Sequence, residues 1–227
     1  MPDDDLDEFR WDSILDRGDL NAELFATRDQ LADAARAGRW TEVLAILDED
    51  HPFSEMITVN SIRVGGTSGF APLHQAAWHG ADLDVVSALL ERGAWRTLRT
   101  SAGETAESIA RRKGHDRVAD GVAWPSPHLG DTRLADMETY LAALITVRAR
   151  QLDKSHRMPE LGPLEEYPEA KFWCPISGMY GGFSYHWLDP GGRSVLEVSN
   201  WSRVVGGSGQ RHHISENGVT LVEVGFA

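Results

Sequence analysis

The sequence predicts a mainly α chain ending in a small antiparallel β module. Three observations carry that expectation. A helix–glycine–helix rhythm centres on Gly69–Ala94 and recurs in weaker form on both sides. Apolar residues then return every three or four positions from Leu134 to Val147, the period of one helix face. After Lys171 that period gives way to short alternating runs between glycine clusters, the pattern of strands and hairpins.

In the central stretch, Gly69-Phe70-Ala71-Pro72-Leu73-His74-Gln75-Ala76-Ala77-Trp78-His79-Gly80 reads as a turn and a short helix. Pro72 suits a first helical turn because it lacks an N–H that would be unpaired there. Ala76 and Ala77 are small enough for a neighbouring helix to approach closely. Gly80 stops the helix, Val85, Val86, Leu89 and Leu90 form the apolar side of a second one, and Gly93-Ala94 closes it.

This stretch resembles an ankyrin repeat, with nearly every position of the T-P-L-H-x-A-A-x-x-G…V-V-x-x-L-L-x-x-G-A pattern filled. Ala71 stands where the family has Thr. The resemblance covers about residues 31–122 and implies a short ankyrin solenoid of about three repeats. Its family role for His74 is a scaffold hydrogen bond. In such proteins partners lie along the first helix of each repeat and the finger that follows. Here those positions are Gln75, Trp78 and His79, then Trp95, Arg96, Thr97, Leu98 and Arg99. For Trp78 and Trp95 two arrangements stay open: exposed for a partner, or covered by the insertion described next.

Taken in order, residues 1–30 form an acidic capping segment of one or two short helices, with ten acids against three arginines. Asp12 or Ser13 is the cap and Gly18 the stop. Residues 31–48 form a degenerate first unit around Ala34-Ala35-Arg36-Ala37-Gly38-Arg39. Gly38 and Gly80 are 42 residues apart, against 34 from Gly80 to Gly114, so residues 49–68 hold an insertion. Its Met56, Ile57, Val59, Ile62 and Val64 argue for a hairpin finger or an ordered loop. A third unit runs from Gly103 to Val122 and presents Arg111-Arg112-Lys113 as a solvated terminal face. Residues 123–131 read as a Pro-rich linker, 132–156 as one long helix, and 157–170 as an acidic extended connector. Residues 171–227 form a module of four or five strands, with hairpin turns at Asp189-Pro190-Gly191-Gly192 and Glu216-Asn217-Gly218. This tail is similar to a module appended to uncharacterised bacterial ankyrin-repeat proteins, which brings no known activity.

The chain carries a formal charge of −13 over 227 residues, and the last 57 contribute nothing to it. Such a chain is expected to repel nucleic acid. The acidic start lacks the basic and apolar regions of a signal peptide, and no apolar run is long enough for a membrane span. A single cysteine, Cys174, fits a reducing compartment, so the expectation is a cytoplasmic protein.

No catalytic residue, metal site or cofactor motif is predicted. Gly206-Gly207-Ser208-Gly209 is neither a nucleophile elbow nor a phosphate loop. Cys174, His186, His212 and His213 lack the spacing of metal ligands. The aromatic density after residue 172 is more informative. Phe183, Tyr185 and Trp187 share one strand face, read as core, while Tyr180, Trp201, Arg203 and Arg211 are candidates for partner contact. The leading expectation is a non-enzymatic protein that binds another protein through a composite surface of repeats and β module. One rival is an enzyme or small-molecule binder whose pocket is lined by Tyr180, Tyr185, Trp201, Arg203, Arg211 and His212. A second is an immunity or antitoxin-like protein whose acidity masks a basic toxin.

Overall fold

Local chemistry sets the helix limits. The Asn21 side chain accepts the Glu23 N–H at 2.8 Å and starts α1, Ala22–Arg36. Pro72 opens α3, Pro72–His79, and Gly80 ends it in left-handed backbone at φ 63°. Thr105 accepts the Ser108 N–H to start α5, Ala106–Lys113, and Gly114 ends it at φ 76°. Between them run α2, Trp40–Asp48, and α4, Leu83–Glu91; α6, Asp116–Val122, follows α5. In the computed structural model the described residues are 8–13, 21–125, 128, 130–149, 152, 156–177, 181–202 and 209–225.

The chain divides into two compact units, Leu15–Pro125 and Met1–Ile14 with Ser126–Ala227. In the first, α1 packs on α3 and α3 on α5, while α2 packs on α4 and α4 on α6. Ala34, Ala76, Ala77, Ala110 and Ala119 are completely buried, so helix backbones meet closely. Val43, Leu89, Ile109 and Val122 fill the space between the layers. At one rim the Arg92 guanidinium grips both Asp48 carboxylate oxygens, at 2.8 and 2.7 Å. Those bonds hold the Asp48 carboxyl below its usual range.

In the second unit, α7, Asp131–Arg148, and α8, Gly162–Glu166, accompany a six-stranded sheet. Its strands are β1 Glu8–Arg10, β2 Lys171–Ile176, β3 Gly181–Trp187, β4 Leu196–Ser202, β5 Gln210–Ser215 and β6 Gly218–Val224. They lie side by side in that order. β1 runs parallel to β2, and every other pair is antiparallel. One sheet face carries Phe172, Cys174, Phe183, Tyr185, Trp187, Leu196, Val198 and Ile214, all buried. Buried Met137, Leu141 and Ile145 come from α7, which packs on β5 and β6.

These observations overturn the expected fold class. Among the described residues the chain pairs eight α-helices with a six-stranded mixed sheet, so it is not mainly α with a small β module. No ankyrin solenoid is evident. The physical reason lies in the connections. No strand is described between residues 21 and 125, so hairpin fingers do not link the helix pairs. Residues 49–68 hold a short 3-10 turn at Ser54–Met56 and send Ile57, Val59, Ile62 and Val64 into buried positions.

Three further expectations change. Residues 8–10 of the supposed capping segment form a strand. Phe9 pairs with Phe172, and Trp11 N–H donates to the Trp173 carbonyl at 2.8 Å. The Ser13 hydroxyl donates to the Pro175 carbonyl at 2.7 Å, and the helix it was expected to cap falls on residues outside the described ones. The expected Gly18 stop lies outside the described residues. The helix expected over 132–156 ends at Arg148, and the supposed extended connector contains α8, opened by Pro163.

Gly80 offers a test of the tight helical turns. A Cβ there would sit 2.6 Å from His115 Nδ1, at a positive φ. Gly80→Ala should cost about 1–3 kcal/mol in urea denaturation. Adding His115→Ala should make the pair less destabilising than the sum of the single changes, because the obstructing ring is gone.

Candidate protein-interaction surface

Helix α3 turns Leu73, His74, Ala76 and Ala77 inward. By helical period this leaves Gln75 half-buried and Trp78 and His79 exposed. Trp78 is 40% exposed, large for an indole on a packed helix. Its ring meets Phe70 edge-on at 6.0 Å between centroids. From α5, the Lys113 ammonium stands 3.4 Å from the ring centroid and the Arg112 guanidinium carbon 5.6 Å. Glu104 fixes Arg112 with two bonds of 2.7 and 3.1 Å. On the other side, His79 Nε2 lies 2.9 Å from the Arg36 carbonyl, and its ring is 6.0 Å from that of Trp40.

The result is an indole near the C-terminal end of α3 beside two cations at the C-terminal end of α5. Helix C-termini favour cations there. A depression of about 430 Å³ begins at the next residue of each helix, lined by Gly80–Leu83 and Gly114–Val118. Lys113 and Arg112 are the residues that sequence reading missed. A signal was available, because Arg112 follows Trp78 by 34 residues, the same interval as Gly80 to Gly114.

The other expected positions separate. Trp95 is buried, and its N–H donates to the Asn60 side chain at 2.9 Å. The Asn60 amide donates in turn to the Gly93 carbonyl at 2.8 Å. The insertion therefore binds the segment after α4 while Trp78 stays exposed. Arg96 is half-buried, 5.9 Å from the Trp124 ring centroid, and Arg99 is half-buried. Trp201 and Arg211 belong to the sheet unit, and Tyr180 and Arg203 lie outside the described residues. His74 is buried: Ala71 N–H donates to its Nδ1 at 3.1 Å, so Nε2 donates to the Leu98 carbonyl at 2.8 Å.

The pocket expected in the β module does not assemble from the described residues. Tyr185 and His212 are buried on the face that also carries Val198, whereas Trp201 and Arg211 alternate to the opposite face. That second face has its own polar row. Glu197 is in register with His186 on one side and His213 on the other. Its carboxylate lies 3.3 Å from His213 Nε2 and 3.4 Å from Arg211 Nε. Among the described residues no group of three or more His, Cys, Asp or Glu side chains is placed to hold a metal ion. Burial pushes the Cys174 thiol up to about 12, so it stays protonated. Among the described residues no helix is long and apolar enough to cross a membrane. No protein-family model matches the chain, and comparison with curated proteins gives no match.

Burial, then the charge of Arg148, hold His212 below the ordinary imidazole value. The unfolded chain therefore takes up this proton first as pH falls. Stability is full above the unfolded value of about 6.5 and declines below it. Urea denaturation at pH 7.5 and 5.5 should show a smaller loss in His212→Gln than in the unaltered chain.

Proposed function

We propose that this chain is a non-enzymatic protein-binding module whose contact surface is the Trp78 patch of the helical unit. The carrying observation is the 40% exposed indole with an ammonium 3.4 Å from its ring centre. Trp and Arg dominate the energetics of protein interfaces because they combine large apolar area with directed polar contact. A cation over the ring gains strength once a partner excludes water. The neighbouring depression supplies relief for a protruding side chain. The partner this chemistry suits presents an apolar side chain beside a carboxylate.

The test begins with affinity capture on the unaltered chain and on Trp78→Ala. A protein retained only by the former is then purified and titrated by calorimetry. Trp78→Ala should weaken binding about 30-fold or more, and Lys113→Glu should weaken it too. Thermal melting of both variants should stay near that of the parent, as the altered side chains lie outside the core. Equal affinity of parent and Trp78→Ala would overturn the assignment.

A further inference from the structure

The chain is acidic overall, yet the sheet unit holds a cation with no acid to answer it. Arg148 is the last residue of α7 and is half-buried. Among the described residues it forms no ion pair, and its Nε is shielded from solvent without a hydrogen-bond partner. A guanidinium stays charged at any ordinary pH. The C-terminus of α7 sets only about half an elementary charge against it.

α7 packs on β5, and the charge of Arg148 acts on His212 of that strand. His212 is buried and in register with Val198 of β4. Asn200 stands two residues beyond Val198, so it shares that sheet face. It is 3% exposed, and its buried Oδ1 has no partner among the described residues. β4 and β5 pair without a break here, Asn200 opposite Gln210 and Val198 opposite His212. Asn200 and His212 are therefore diagonal neighbours, about 7–8 Å apart. Half-buried Gln210 lies beside Asn200 on the same face.

We infer that these side chains bind a small hydroxy monocarboxylate, its carboxylate on Arg148 and His212 and its hydroxyl on Asn200. What each group lacks selects the ligand. A buried donor or acceptor without a partner costs free energy, so the set is incomplete as the chain alone supplies it. Water could complete the hydrogen bonds but not balance the charge of Arg148. A carboxylate does both, since a planar guanidinium meets it with two parallel bonds. His212, neutral at pH 7, donates from one ring nitrogen. One cation balances one negative charge, so a dianion such as phosphate would carry an uncompensated charge into a half-buried place. Asn200 Oδ1 only accepts, so the ligand brings a donor. An ammonium there would stand near Arg148, whereas a hydroxyl adds no charge. This site is independent of the Trp78 surface, which belongs to the other unit.

Titration of the isotope-labelled full chain, followed by two-dimensional NMR, tests this. The probes are lactate and 3-hydroxybutanoate, which differ in the spacing of hydroxyl and carboxylate. One of them should shift the amides of β4, β5 and the end of α7. It should bind more tightly than propanoate, alanine or inorganic phosphate. Arg148→Gln should weaken it about 30-fold or more, and Asn200→Leu about fivefold. Asn200→Leu removes an unpaired acceptor, so without ligand its melting temperature should match or exceed the parent's. Arg133→Gln, which breaks an exposed ion pair with Glu216, should leave binding unchanged. Spectra unmoved by both hydroxy acids overturn the proposal. So does equal affinity for propanoate or phosphate, or equal affinity of Arg148→Gln and the parent.

Discussion

The helical unit depends on one buried imidazole. His74 receives the Ala71 N–H on one nitrogen and donates to the Leu98 carbonyl with the other. These two backbone groups belong to different turns, one before α3 and one after α4. Buried, each would cost on the order of 1–3 kcal/mol without a partner. The imidazole satisfies both and so ties the segment after α4 to the turn before α3. Asn60 repeats the device one layer over, joining the Gly93 carbonyl to the Trp95 N–H. With those turns held, the alanine faces of α1, α3 and α5 meet closely. Residues on the far side of α3, Trp78 among them, are left outside.

The sheet unit answers to a different constraint, the two-residue period of a strand. Aromatic and aliphatic side chains on one face pack against α7, and the alternate positions carry His186, Glu197, His213 and Arg211. Glu197 is buried on the polar face, where the Arg211 guanidinium balances its charge and His213 Nε2 lies 3.3 Å away. A pocket drawing on both faces would need residues that the pleat points apart. This is why a cluster dense in sequence becomes two surfaces in space.

Much of this was legible because it rests on short-range chemistry. Pro72, Gly80, Thr105 and Gly114 mark helix limits through missing donors, left-handed backbone and a hydroxyl cap. Phe183, Tyr185 and Trp187 share a face because strands alternate. What failed to read was long-range. Glu8-Phe9-Arg10 has no strand signature in an acidic segment. It becomes one because Lys171–Trp173, some 160 residues later, offers an open edge. The Trp78 patch was half legible. The indole stood out, but Arg111-Arg112-Lys113 read as a solvated end until α5 was seen against α3.

The sequence by itself determined the helix and strand segments over most of the described chain, the side of α3 that is buried and the scaffold use of His74. It did so because capping, backbone preference and side-chain period act over a few residues. Tertiary structure alone decided that the described residues form a six-stranded sheet and that the insertion binds Trp95 but leaves Trp78 open. Those outcomes depend on which distant backbone groups find partners, and no local pattern encodes that choice.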